Sequence, residues 1–145
     1  MADINAQDLD IVRALSQNSE TPLSVIADKL GISPRTVNVK VQKLKAMGAI
    51  RKFTVSVDWR KLGKKVEIAV LVNCSPKNTR KVAKILSTFD EVIAVHSITG
   101  LYEILAMVAL RDLKEYKEFI ETKLGKIAEI KNIHSGIVLD DFKES

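Results

Sequence analysis

The chain has one cysteine, Cys74, and only two histidines, His96 and His134. A single thiol excludes an internal disulfide and fits a reducing cytoplasm, and one cysteine with two separated histidines argues against a protein zinc site. No signal-peptide pattern and no apolar run long enough to span a bilayer occurs, so a cytoplasmic protein away from membranes is expected. Also missing are a glycine-rich phosphate loop, a His-Glu-x-x-His helix, a Cys-x-x-Cys pair and a Gly-x-Ser-x-Gly elbow. No catalytic residue, metal or cofactor is therefore expected. Negative charge is scarce in one stretch: from Ser33 to Lys65 the sole acid is Asp58, against ten Lys and Arg, a local net charge of +9 where the whole chain carries +5.

That excess divides the molecule. Residues 1–65 hold 12 basic and 6 acidic groups, whereas residues 66–145 hold 11 and 12, so the two halves are expected to do different work. A chain of 145 residues, 46% apolar, suffices for one medium domain or two small ones. We read residues 1–58 as one domain, 59–65 as a linker and 66–145 as a second domain.

Residues 21–48 read as two short helices about a turn at Gly31. Thr21 before Pro22, and Ser33 before Pro34, are start signals, because a hydroxyl can accept from orphan N–H groups while proline at the first position loses no useful donor. Gly31 and Gly48 stand where a left-handed residue ends a helix. On the second helix Val37, Val41 and Leu44 recur at i, i+4 and i+7 and form the buried stripe, which leaves Arg35, Val39, Gln42 and Lys43 on the opposite side. An Arg fork matches the O6 and N7 of guanine and Gln matches adenine, so this face suits the major groove of double-stranded DNA. We place Arg35, Thr36, Val39 and Gln42 nearest the bases, and Ser33, Lys40, Lys43, Arg51 and Lys52 toward phosphates, with Asn38 also among the DNA-contacting residues.

Before this unit, Asn5-Ala6-Gln7-Asp8 is a variant capping box opening a helix to about Gln17, with Leu9, Ile11, Val12 and Leu15 inward. After it, Phe53, Val55 and Val57 alternate with polar residues, the signature of a strand or wing. The second half reads strand, helix, strand, strand, helix, strand: Val66 to Cys74, Thr79 to Thr88, Val92 to Thr99, Tyr102 to Leu110, a helix capped by Asp112 with Leu113, Tyr116, Phe119 and Ile120 inward, and a last strand within 127–139. A βαββαβ order gives a ferredoxin-like antiparallel sheet with both helices on one face, and the fold class is α+β. Strands 68–72 and 104–110 are apolar on both sides, so the bare face needs a partner, and a homodimer is expected.

Taken together, Asp8 with Ile11, Val12 and Leu15, Ile26-Ala27 through Leu30-Gly31-Ile32-Ser33, Thr36-Val37 and Lys43-Leu44 to Gly48-Ala49-Ile50 resemble the helix-turn-helix of the Lrp/AsnC (feast/famine) transcription factors. Thr99-Gly100-Leu101-Tyr102-Glu103 resembles the Gly-x-Tyr-Asp turn of that family's second domain. The resemblance implies a winged helix-turn-helix regulator that binds promoter DNA as a dimer, assembles as far as an octamer, and senses an amino acid in a cleft between dimers. By position it implies effector contacts at Thr99, Gly100, Tyr102, Glu103 and Ser135. The sequence departs from the pattern at Val39 and Lys40, where the family often has Arg, at Glu103, where Asp is usual, and at Ile133, where Thr is frequent. Two other readings stay open: an architectural, nucleoid-type DNA binder, and an enzyme resembling the siroheme decarboxylases, which share this architecture and use histidines.

Overall fold

Asn5 opens the first helix by a reciprocal cap: its side-chain oxygen accepts from the Asp8 N–H at 2.9 Å, and the Asp8 carboxylate accepts from the Asn5 N–H at 3.0 Å. The computed structural model describes residues 3–143, divided into a unit ending at Ser56 and a unit spanning Val57–Phe142. In the first unit, helices α1 (Ala6–Gln17), α2 (Leu23–Leu30) and α3 (Pro34–Ala46) bury Ile11, Leu15, Ile26, Ala27, Val37, Val41 and Leu44 against one another. Full burial of such side chains contributes about 1.5–3 kcal/mol each, so this small core has little redundancy.

Three expectations for this unit are corrected. Leu9 is 49% exposed, because it lies two residues from buried Ile11 and so on the far side of the helix. Thr21 does not cap α2; its hydroxyl donates to the Asn18 carbonyl at 2.7 Å, and Pro22 precedes the helix without a side-chain cap. Residues 51–58 form no strand, and Phe53 and Val55 stay exposed. Alternation sorts side chains between two faces but does not itself supply a ladder for the backbone, and among the described residues none of the four strands pairs with this stretch.

In the second unit, residues Trp59–Leu62, expected within a linker, form a 3-10 turn that Asp58 caps through the Arg60 N–H at 3.1 Å. Strand β1 (Val66–Cys74) leads to helix α4 (Thr79–Leu86), strands β2 (Val92–Ser97) and β3 (Ile104–Leu110), helix α5 (Leu113–Thr122) and strand β4 (Ile130–Ile137). The strands lie in the order β2-β3-β1-β4, and every pairing is antiparallel. Alternate residues Ile68, Val70, Val72 and Cys74 of β1, with Ile104, Ala106 and Val108 of β3, are buried beneath Val82 and Leu86 of α4 and Phe119 of α5. Leu113, expected inward, is 56% exposed: it is the first residue of α5, and side chains in a helix tilt toward its N-terminus.

The other sheet face carries no helix. Register sets His96, Leu105, Leu71 and His134 in one row across the four strands, and Ala94, Met107, Ala69 and Gly136 in a parallel row. Its centre is apolar, and the two histidines stand at opposite edges about 14 Å apart, three strand spacings.

Candidate functional site

Gly31 makes the turn between α2 and α3 at φ 67, a left-handed conformation that a side chain would strain, and the Ile32 N–H returns to the Ala27 carbonyl at 3.1 Å. Ser33 then starts α3, accepting from the Thr36 N–H at 3.1 Å, while the Ser33 and Thr36 hydroxyls are 2.8 Å apart. With Val37, Val41 and Leu44 holding the underside, Arg35, Thr36, Asn38, Val39 and Gln42 all face solvent. Gln42 and Asn38 stand one helical turn apart with their amides 3.5 Å from each other, so α3 presents a continuous strip of donors and acceptors around the exposed methyls of Val39.

The basic residues are not alike. Arg51 and Lys52 are exposed just after α3. Lys45 holds its ammonium 4.8 Å from the ring centroid of Phe53, a cation–π contact that the sequence reading missed. Lys43, expected on the outer face, turns instead toward α1: its ammonium is 3.5 Å from Asp8 Oδ2 and 2.8 Å from the Asp3 carbonyl. Lys40 reaches Asp8 Oδ1 at 3.5 Å. Asp8 is closed to solvent yet held below the usual carboxylate range, first by the Asn5 N–H; burial opposes this, and Lys40 and Lys43 favour it. One buried carboxylate thus ties α1 to α3 and fixes the pitch of the exposed strip.

In the second unit, the turn 99–103 is anchored to the end of β1. The Glu103 N–H donates to the Val72 carbonyl at 3.1 Å, its carboxylate accepts from the Cys74 N–H at 3.0 Å, and Asn73 donates through its side chain to the Leu101 carbonyl at 3.0 Å. Gly100 has φ 122, and Thr99 is exposed beside it. Tyr102 lies near the His134 ring, centroids 6.2 Å apart. The turn is a rigid rim rather than a loose loop.

Ser135 is not brought to that rim. It pairs with Val70, on the helix-covered face, and its hydroxyl hydrogen-bonds the Tyr116 hydroxyl of α5. Asn73 and His134 take places beside the turn that residue types alone did not point to; the strand register would have found both. Ile133 pairs with Val72. Among the described residues no cluster of His, Cys, Asp or Glu is arranged to hold a metal, and no helix is long and apolar enough to cross a membrane.

The chain is similar to known proteins in both of its units. Residues 67–145 match the family model described as the Lrp/AsnC ligand binding domain, and residues 4–51 match winged helix-turn-helix DNA-binding. The regulatory protein AsnC of Haemophilus influenzae is 33% identical over 97% of this chain and 95% of its own length. The HTH-type transcriptional regulator LrpA of Pyrococcus horikoshii is 31% identical over 97% of this chain and 99% of its own. The structure of AsnC from E. coli superposes with a TM-score of 0.87 and 28% identity, covering 99% of this chain and 97% of that one. The chain belongs to the Lrp/AsnC family.

Proposed function

We propose that this chain is a sequence-reading transcriptional regulator that binds double-stranded DNA through α3 as a pair of copies, and whose second unit takes an amino acid. The observation that carries the reading is the exposed strip Arg35, Thr36, Asn38, Val39 and Gln42, set on a helix that a capped turn and an apolar underside hold rigid. Arg35 and Gln42 supply base-edge hydrogen bonds, Val39 an apolar contact such as a thymine methyl, and Ser33, Arg51 and Lys52 reach phosphates. Lys40 and Lys43 act through Asp8, orienting α3, with their remaining charge added to the phosphate side.

Pairing of copies follows from the bare sheet face, whose central Leu71, Leu105 and Met107 are only half covered. Two copies meeting there present two α3 helices, as a palindromic operator requires. The rim Thr99, Gly100, Tyr102 and Glu103 forms one wall of the effector site. Because Ser135 lies away from that rim within one chain, an effector touching both bridges two copies, which couples its binding to assembly.

Fragments of the host genome selected for binding test the reading directly. With about six phosphates neutralised, log K falls against log salt with a slope of roughly −5 on selected and random duplexes alike, while the selected duplex keeps an affinity excess. Equal affinity for both duplexes overturns sequence reading and leaves an architectural role.

A further inference from the structure

The outermost line of α3 is narrower than the exposed strip as a whole. At about 100° per residue, Arg35, Val39, Gln42 and Ala46 fall within about 60° of one another, opposite the buried Val37, Val41 and Leu44. Ala46 is too short to reach far, which leaves three readers. Thr36 and Lys43 flank this line on one side, and their polar ends turn to the Ser33 hydroxyl and to Asp8. Asn38 flanks it on the other. Its side-chain oxygen accepts from Gln42 Nε2 at 3.5 Å across one turn of the helix.

That bond decides what Gln42 can offer. A primary amide has two N–H donors and one oxygen acceptor, and here Asn38 engages one N–H. What remains is a donor beside an acceptor, the complement of adenine, which presents N7 as an acceptor and N6 as a donor in the major groove. Guanine presents two acceptors, N7 and O6, and would set O6 against the Gln42 oxygen. With the amide turned the other way, its oxygen on an Asn38 N–H, Gln42 would show two donors and choose guanine. The sense of one side-chain hydrogen bond is therefore a base preference.

Val39 is 60% exposed and carries no polar side-chain atom, and the major-groove feature that suits it is the C5-methyl group of thymine. Spacing supplies the order. Arg35, Val39 and Gln42 lie at i, i+4 and i+7, so the line covers about 10.5 Å of helix axis, or roughly three base-pair steps of about 3.4 Å.

We infer that each operator half-site holds, within about four consecutive base pairs and in this order on either strand, a guanine read by Arg35, a thymine whose methyl meets Val39 and an adenine read by Gln42, and that Asn38 is the positioning residue that selects adenine over guanine. The inference rests on α3 lying in the major groove and deepens that reading by naming the class of sequence it takes.

Duplexes selected by the full chain from a randomised pool, then remade with small changes to single bases, test it. Deoxyuridine in place of the thymine removes only the methyl group, and 7-deazaadenine in place of the adenine removes only the N7 acceptor. The first is expected to weaken binding of the wild-type chain about three-fold or more and the second about ten-fold, whereas Val39→Ala ignores the first and Gln42→Ala the second. Gln42→Glu, which can only accept, exchanges adenine for cytosine at that position. Asn38→Ala brings a wild-type preference for adenine over guanine of about ten-fold down toward equality, a ratio that lost stability alone does not move. A wild-type chain that selects guanine there, a Gln42→Ala chain as sensitive to 7-deazaadenine as the wild type, or an Asn38→Ala chain with an unaltered ratio overturns the inference and leaves α3 in the groove. A pool from which no sequence is enriched sinks the groove reading, and the inference with it.

Discussion

Asp8 and Lys40 meet across two helices, Oδ1 to Nζ at 3.5 Å, with the carboxylate wholly closed to solvent and Lys43 at the same distance from its second oxygen. The contact stabilises the junction of α1 and α3. Removing Asp8 leaves the Asn5 N–H without its acceptor and two ammonium groups without their anion, so Asp8→Ala should lower stability by about 1–3 kcal/mol. Thermal unfolding measures it. An unchanged midpoint would mean that the triad merely decorates the helix junction.

The same carboxylate sets a pH dependence. Its folded value lies below the ordinary 3.8, so its stabilisation is fully present above that value and is lost as pH falls through the folded one. Unfolding curves below pH 4 should show this loss for the wild-type chain and a flatter acid limb for Asp8→Asn. Parallel limbs for the two proteins would remove Asp8 from the account.

Base readout and phosphate contact separate by mutation. Arg35→Ala should cost about 1–3 kcal/mol on the selected operator and relax one position, with the salt slope little changed. Arg51→Ala should weaken every duplex alike and reduce the slope by about 1. Lys40→Ala, by contrast, should show mainly in the unfolding midpoint. If Arg35→Ala leaves operator affinity intact, α3 does not lie in the groove as argued.

Gly31 tests the turn without altering any of the side chains assigned to DNA contact. A Cβ built there meets nothing within 4 Å, so the penalty of Gly31→Ala is purely conformational, about 1–2 kcal/mol for the left-handed backbone. Unfolding should show it as a lower midpoint, and operator affinity should fall as the junction loosens.

For the second unit, a thermal-shift screen of the amino acids should find one that raises the midpoint of the wild-type chain and alters its assembly in light scattering. Tyr102→Ala should abolish that response. A flat screen across all amino acids counts against the ligand site at the turn.

Much of the architecture is legible in the sequence because caps and periodicity are local. Asn5 with Asp8, Ser33 with Thr36, and Asp112 with Glu115 each act within four residues, and each is found as its residue types imply. What escaped depends on neighbours distant in the chain. Lys43 sits correctly by period on the edge of α3, yet Asp8, 35 residues earlier, decides where its ammonium goes. Phe53, Val55 and Val57 have the pattern of a strand, yet among the described residues they join no ladder. Ser135 and Tyr102 look like members of one site until register puts Ser135 opposite Val70 on the helix side and His134 beside the tyrosine ring. Glu103 shows the same limit: the family resemblance implies a ligand contact there, while the Cys74 N–H already engages one carboxylate oxygen.

Cys74, 2% exposed at the inner end of β1, gives the molecule a built-in clock. A thiol reagent cannot attack it until the sheet parts from α4, and the first unit contains no sulfhydryl at all. Labelling kinetics therefore time the opening of the second unit alone, and an added amino acid that slows the labelling reports its own binding without any engineered probe.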